Sequence, residues 1–131
     1  MNIFVDASAW VAILIKEVDA FELEKVFGAA ERRFYSPVSM WETSRALCKL
    51  RDVPMTIATL GVHSFISAFD MTPVMIGDDE AQAAVEAYAR YGKGVHPARL
   101  NMGDCFAYAC AKTNDARLLY KGDDFSQTDL A

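Results

Sequence analysis

The 131-residue chain is poor in the side chains that build metal-thiolate or histidine chemistry, with two histidines, three cysteines and no CxxC pair. An odd cysteine count without that spacing excludes a disulfide framework and a zinc site, so Cys48, Cys105 and Cys110 read as small buried hydrophobes in a reducing compartment. His63 and His96 stand far apart without a ligand spacing and read as surface or core side chains. No segment is long enough to span a bilayer. The opening stretch MNIFVDASAWVAILI is apolar but lacks a basic n-region and a cleavage pattern, and Asp6 interrupts it. A soluble, non-exported, cytoplasmic protein is expected. There is no repeat, linker or low-complexity tract, and 53 % hydrophobic with 24 % charged residues is the composition of a globular chain. That length supports one well-buried core and is short for two ordinary domains, so residues 1–131 are expected to form a single domain.

Positive charge is also scarce: the formal net charge is −5 at pH 7, which on its own argues against nucleic-acid binding. Its distribution is uneven. The segment YARYGKGVHPARLNM, from Tyr88 to Met102, carries Arg90, Lys93, His96 and Arg99 with no acid, whereas Asp78, Asp79 and Glu80 lie just upstream. A local basic patch on an acidic protein is compatible with this pattern.

Strand and helix signals alternate. Asn2 to Val5 is a β-branched and aromatic run ending at Asp6, and the Ala-rich stretch after it reads as helix. A helix is expected from about Asp19 to Ala30 and a strand from Arg33 to Ser36. Ser36-Pro37 is a good helix start, with Ser39 and Glu42 offering a second capping box, and this helix should reach about Leu50, its Trp41 and Leu47 packed inside. Pro54 restarts a helix to Phe69. Thr72 to Ile76 is a strand candidate, Asp78 to about Tyr91 a helix, Asn101 or Gly103 through Lys112 another, and Leu118 to Tyr120 a last strand. The short tail after Phe125 is expected to order only in a complex. Strands joined by helices imply an α/β fold, three layers around a central, mainly parallel sheet of about four strands. In such sheets, sites form at the carboxyl ends of strands.

The acids fall at those ends. Asp6 closes the first strand, where it serves either as a site carboxylate or as a helix N-cap. Glu42 sits in the otherwise apolar SPVSMWETSRALCKL, as a site residue or as the capping-box partner of Ser39. If helical, Arg45 and Lys49 share its stripe, placing cations where phosphate can approach. Asp104 lies in LNMGDCFAYACAK at the first turn of a buried helix, again as site or cap. Asp123 and Asp124 follow the last strand and Lys121-Gly122. Clustered carboxylates repel one another and call for a cation, and hard oxygen donors favour Mg2+ or Mn2+ over zinc. Such ions lower the pKa of bound water and stabilise an in-line displacement at phosphorus.

Read together, FVDAS, SPVSMWET, LNMGDCFAYACAK and LLYKGDDFSQTDL resemble, in order and over essentially the whole chain, the PIN-domain family, and within it the VapC-type toxins of type II toxin–antitoxin pairs. The resemblance implies a PIN-like α/β fold, Mg2+- or Mn2+-dependent endoribonuclease activity, a homodimer, and a VapB-like antitoxin that neutralises the toxin in a hetero-oligomer. Carried over, the family's acids are Asp6, Glu42 and Asp104, with Asp123 slightly favoured over Asp124 as the fourth. Asp6 and Asp104 are the direct metal ligands, and Glu42 and the fourth acid complete the shell or orient the nucleophile. Ser8 matches the small hydroxyl residue of the first motif, a candidate contact to phosphate or metal-bound water. The segment YGKGVHPARLNMGDC resembles a subgroup with a glycine- and lysine-bearing loop before the third acid, and Arg90, Lys93 and Arg99, with Arg45, are candidate RNA contacts.

Three other readings compete. A phosphatase of the HAD type needs a second aspartate two residues after the first, where this chain has Ser8. A flap-type DNA nuclease carries helices and acids that are missing here. A catalytically degenerate PIN-like module, binding RNA or a protein partner, requires the loss of an acid, yet all four positions can be filled.

Overall fold

The computed structural model describes residues 1–131. The apolar run Asn2–Val5 forms β1, and Asp6 ends it by capping α1 (Ala7–Leu14). There follow α2 (Phe21–Ala29), β2 (Arg32–Tyr35), α3 (Pro37–Arg51), α4 (Met55–Ala68), β3 (Thr72–Pro73), α5 (Asp78–Tyr91), α6 (Met102–Thr113) and β4 (Arg117–Leu119). The four strands are all parallel, in the order β3-β2-β1-β4. The expected α/β/α sandwich is what forms.

Alternation along β1 divides the interior into two cores. Phe4 faces a cluster built from α5 and α6, with Ala87, Tyr91, Tyr108 and Cys110. Ile3 and Val5 face the opposite one, with Trp10, Phe27, Leu47 and Val62. Both faces being covered explains why Ile3, Phe4 and Val5 form a continuous apolar run rather than alternating with polar residues. From β1 the chain steps to β2 and β3 on one side, then returns to lay β4 on the other. The carboxyl ends of β1 and β4 therefore border the point where strand order reverses, the place where such sheets open a crevice.

Several expectations are corrected. The third strand stops at Pro73, which has no N–H for the ladder, although Val74 N–H still donates to Tyr35 O at 2.7 Å. Trp41 is 58 % exposed rather than packed, because it lies on the side of α3 that turns away from Leu47. The chain end packs against α5 and α6. Phe125 is buried, and Asp129 accepts from Tyr108 Oη–H (2.7 Å), Tyr91 Oη–H (3.3 Å) and Lys112 Nζ–H (2.7 Å). The three thiols are free, and burial pushes Cys105 up to about 11 and Cys110 to about 12, the behaviour of inert core side chains.

Candidate functional site

Asp6 stands at the carboxyl end of β1 and is only 6 % exposed. Its Oδ2 accepts from Ser8 N–H at 3.0 Å and from the Ser8 hydroxyl at 2.5 Å, so the N-cap role is realised. The Ser8 hydroxyl in turn accepts from Lys121 N–H at 3.0 Å. Asp6 N–H donates to Leu119 O at 2.9 Å. Ser8 thus ties the first acid to the end of β4, and its only hydroxyl proton is committed to Asp6.

Glu42 is carried one turn into α3. The cap it was expected to share with Ser39 does not form, because Ser39 pairs with Ser36 instead: Ser36 N–H donates to Ser39 Oγ (2.9 Å) and Ser39 N–H to Ser36 Oγ (3.1 Å). Released from capping, the Glu42 carboxylate lies against Gly103 so closely that a Cβ there would overlap both of its oxygens. Glycine at 103 leaves the room that the Glu42 carboxylate occupies, with Asp104 next in the chain. Asp104 completes a capping box with Asn101, its N–H donating to Asn101 Oδ1 at 2.9 Å and its Oδ2 accepting from Asn101 N–H at 3.1 Å.

These acids act on one another. Burial, and then the charges of Asp6 and Asp104, push Glu42 up to about 7. Burial, Asp124 and Asp6 push Asp104 to about 6, against the lowering effect of the Asn101 hydrogen bond. Asp6 is raised by burial and by Asp124, despite its bonds to Ser8. No lysine or arginine offsets them. Of the two aspartates after β4, Asp124 is the one whose charge reaches both Asp6 and Asp104. The chain turns towards it through Gly122, whose φ of +92° suits glycine. As the side chains stand, no three His, Cys, Asp or Glu groups meet at one ion position. The donor set nevertheless fits a hard divalent cation in its chemistry, since it holds only carboxylate oxygens and no lysine or arginine offsets their charge.

Basic groups flank the acids on one side. Lys93 and Arg99 line a hollow of about 390 Å³ together with Asn101, Asp123, Asp124 and Gln127. Arg90 lies elsewhere, over the Tyr91 ring at 4.7 Å and beside Lys112. On the other side, Ser8, Glu42 and Lys121 border a groove of about 520 Å³. There the Lys121 ammonium pairs with Glu17 and with Asp19 (3.0 Å). Arg45 is half-buried and makes no ion pair with Glu42. The sequence reading missed the roles of Gly103 and Lys121; for Gly103 the available signal was a glycine directly before a candidate acid at a helix start.

Residues 3–130 match the family model described as the PIN domain. The chain belongs to the PIN-domain family. Among similar PIN-domain proteins is a VapC ribonuclease of Rhizobium meliloti (strain 1021), 45 % identical, the match covering 97 % of this chain and 98 % of the relative. Ribonuclease VapC30 of Mycobacterium tuberculosis (strain H37Rv) is 40 % identical over 97 % of this chain and 95 % of its own. The crystal structure of M. tuberculosis VapC20, a Sarcin-Ricin loop cleaving toxin, superposes with a TM-score of 0.73 over 95 % of this chain and 92 % of that one; at 17 % identity it bears on the fold alone. No helix of this PIN domain is long and apolar enough to cross a membrane.

Proposed function

We propose that residues 1–131 act as a single PIN domain that cleaves RNA phosphodiester bonds as a Mg2+-dependent endoribonuclease, with Mn2+ as a substitute. In this reading the protein is the toxin of a type II pair, a cytoplasmic homodimer held in check by a VapB-like antitoxin. The observation that carries it is that carboxylates from four separate motifs lie close together: burial raises Asp6, Glu42 and Asp104, the charges of Asp6 and Asp104 raise Glu42 further, and the charge of Asp124 reaches both Asp6 and Asp104. The ribonuclease naming of full-length relatives supports the substrate.

Asp6 and Asp104 would hold the ion, which when bound supplies an acidified water and charge stabilisation at phosphorus. Ser8 keeps Asp6 oriented. Glu42, beside Asp6 and Asp104, would orient the attacking water. Asp124, or Asp123 beside it, completes the acidic wall. Lys93 and Arg99 meet the RNA backbone at the rim, with Arg45 further along α3. Exposed Trp41, Leu50, Ile57 and Leu60 on α3 and α4 support a surface for a second copy or an antitoxin.

Incubation of total RNA with antitoxin-free protein and Mg2+, Mn2+ or EDTA, beside D6N and D104N, tests the reading. Discrete products should require metal and fall at least about 100-fold in both variants, more than loss of an outer-shell group costs. Asparagine is chosen because it still caps helices. Metal-independent products, or none from folded wild-type protein, would turn the assignment towards a module that binds without cleaving.

A further inference from the structure

His96 lies in the segment between α5 and α6. Its ring meets Tyr91 edge-on at a centroid distance of 5.2 Å. Its Nδ1 accepts from Ala98 N–H at 3.0 Å. Ala98 is buried, so that N–H would be left without a partner if the imidazole were removed. The same residue closes a β-turn through its backbone, His96 O accepting from Arg99 N–H at 3.0 Å, with Pro97 in the position such turns favour. The turn ends on Arg99, held at a φ of +55°, where a side chain other than glycine is strained.

Around this turn the segment is zipped shut. Lys93 N–H donates to Leu100 O (3.1 Å), Leu100 N–H to Tyr91 O (3.0 Å), and His96 N–H to Gly92 O (3.0 Å). The Tyr88 hydroxyl donates to Lys93 O at 3.0 Å. The two cations that result, Lys93 and Arg99, sit on the hollow beside Asp124. Arg99 takes its strained conformation directly after this turn, and the His96 side chain accepts there as a backbone carbonyl would.

We propose that His96 is a positioning residue for RNA, whose Nδ1 fixes the turn that aims Lys93 and Arg99 at the sugar–phosphate backbone entering the acidic site. The proposal rests on the ribonuclease reading above. It separates the two things the imidazole does: asparagine keeps an acceptor at the position of Nδ1 and loses the ring, whereas phenylalanine keeps a ring against Tyr91 and loses the acceptor.

The test is binding of a short fluorescein-labelled oligouridylate in EDTA, where metal-dependent cleavage is absent, titrated from about 50 to about 200 mM salt. Wild type, H96A, H96N, H96F and the double variant K93A/R99A are compared, each first shown to be folded by its cooperative thermal transition. For single strands each phosphate contact contributes about 0.7 to the slope of log K against log salt, so losing both flattens it by about 1.4. H96A and H96F should flatten towards K93A/R99A, and H96N should keep the wild-type slope. A slope that follows the ring instead, or one that is unchanged in all three His96 variants, overturns the proposal. Metal-dependent cleavage by wild type, run in parallel, separates the two readings. Cleavage with an unchanged H96F slope removes the role of His96 alone, and a wild type that neither binds nor cleaves removes both.

Discussion

Asp6 does two jobs with one carboxylate: Oδ2 caps α1 through Ser8, and its charge presses on Glu42 from a nearly fully buried position. Substitutions at this scale therefore divide into those that alter charge and those that alter geometry. Asp124→Asn removes the charge that reaches Asp6 and Asp104 and should lower RNA cleavage by about 10-fold or more, the scale of an outer-shell ligand, while Asp123→Asn should leave it within a few-fold. Initial-rate assays of the two single variants decide which aspartate is the fourth acid, and equal losses would leave the charge of Asp124 without its special role. Gly103→Ala acts by geometry. Its new Cβ runs into the Glu42 carboxylate, so the start of α6 must shift or Glu42 must leave. Because the clash is with the mobile end of a side chain, Glu42 should swing aside, so denaturant titration should show stability within about 1 kcal/mol of wild type while cleavage is lost.

At the scale of elements, the crevice depends on helices that begin where they do. Ser36 and Ser39 satisfy each other at the start of α3, which leaves Glu42 free for the site; Asn101 and Asp104 do the same at α6. The last residues behave as an element too, clamped to α5 and α6 by Asp129. The Asp129 carboxyl is held below its usual range: burial raises it, but the hydrogen bonds and charge of Lys112 and the Tyr108 hydroxyl outweigh that. A depressed folded-state pKa means stability that is present above the unfolded value of 3.8 and lost as pH falls through the lower folded value. Asp129→Ala should cost about 2 kcal/mol at neutral pH, the scale of charged hydrogen bonds, and the difference from wild type should shrink only in strong acid. Urea titrations at neutral pH and near pH 2 would measure both parts, and a pH-independent difference would assign the effect to lost side-chain contacts alone.

For the molecule as a whole, the carboxylate cluster sets a pH dependence of the opposite sign. Glu42 and Asp104 have folded-state values of about 7 and about 6, above their ordinary 4.5 and 3.8. The folded state thus binds more protons than the unfolded chain between those limits, and metal-free protein should lose stability as pH rises from about 4 to about 7. Divalent cation should reverse the loss, most strongly at the upper end, where the acids are ionised. Calorimetric scans in EDTA and in Mg2+ across that range are the check. A metal-free Tm that rises towards neutrality would mean that other groups dominate the linkage.

Much of this architecture was legible in one dimension. Apolar β-branched runs, proline and glycine punctuation and helical periodicity act between near neighbours, and they located all four strands and six helices to within a few residues. Asp6 and Asp104 stand out in the sequence because one follows a strand and the other starts a helix, positions that a parallel sheet gathers at one edge, whereas Glu42 lies more than a turn into α3 and Asp124 beyond the end of β4. What the sequence could not decide was which of several available partners a side chain or segment would take. Whether Ser39 would pair with Ser36 or Glu42, which side of α3 Trp41 would occupy, and whether the tail would dock were settled by competition between partners. No local pattern distinguishes Asp124 from Asp123 either. Local propensity by itself determined the elements and their order; only the tertiary structure, through the switch point between β1 and β4 and the packing of Glu42 against Gly103, decided which carboxylates come near one another, because that depends on elements far apart in the chain.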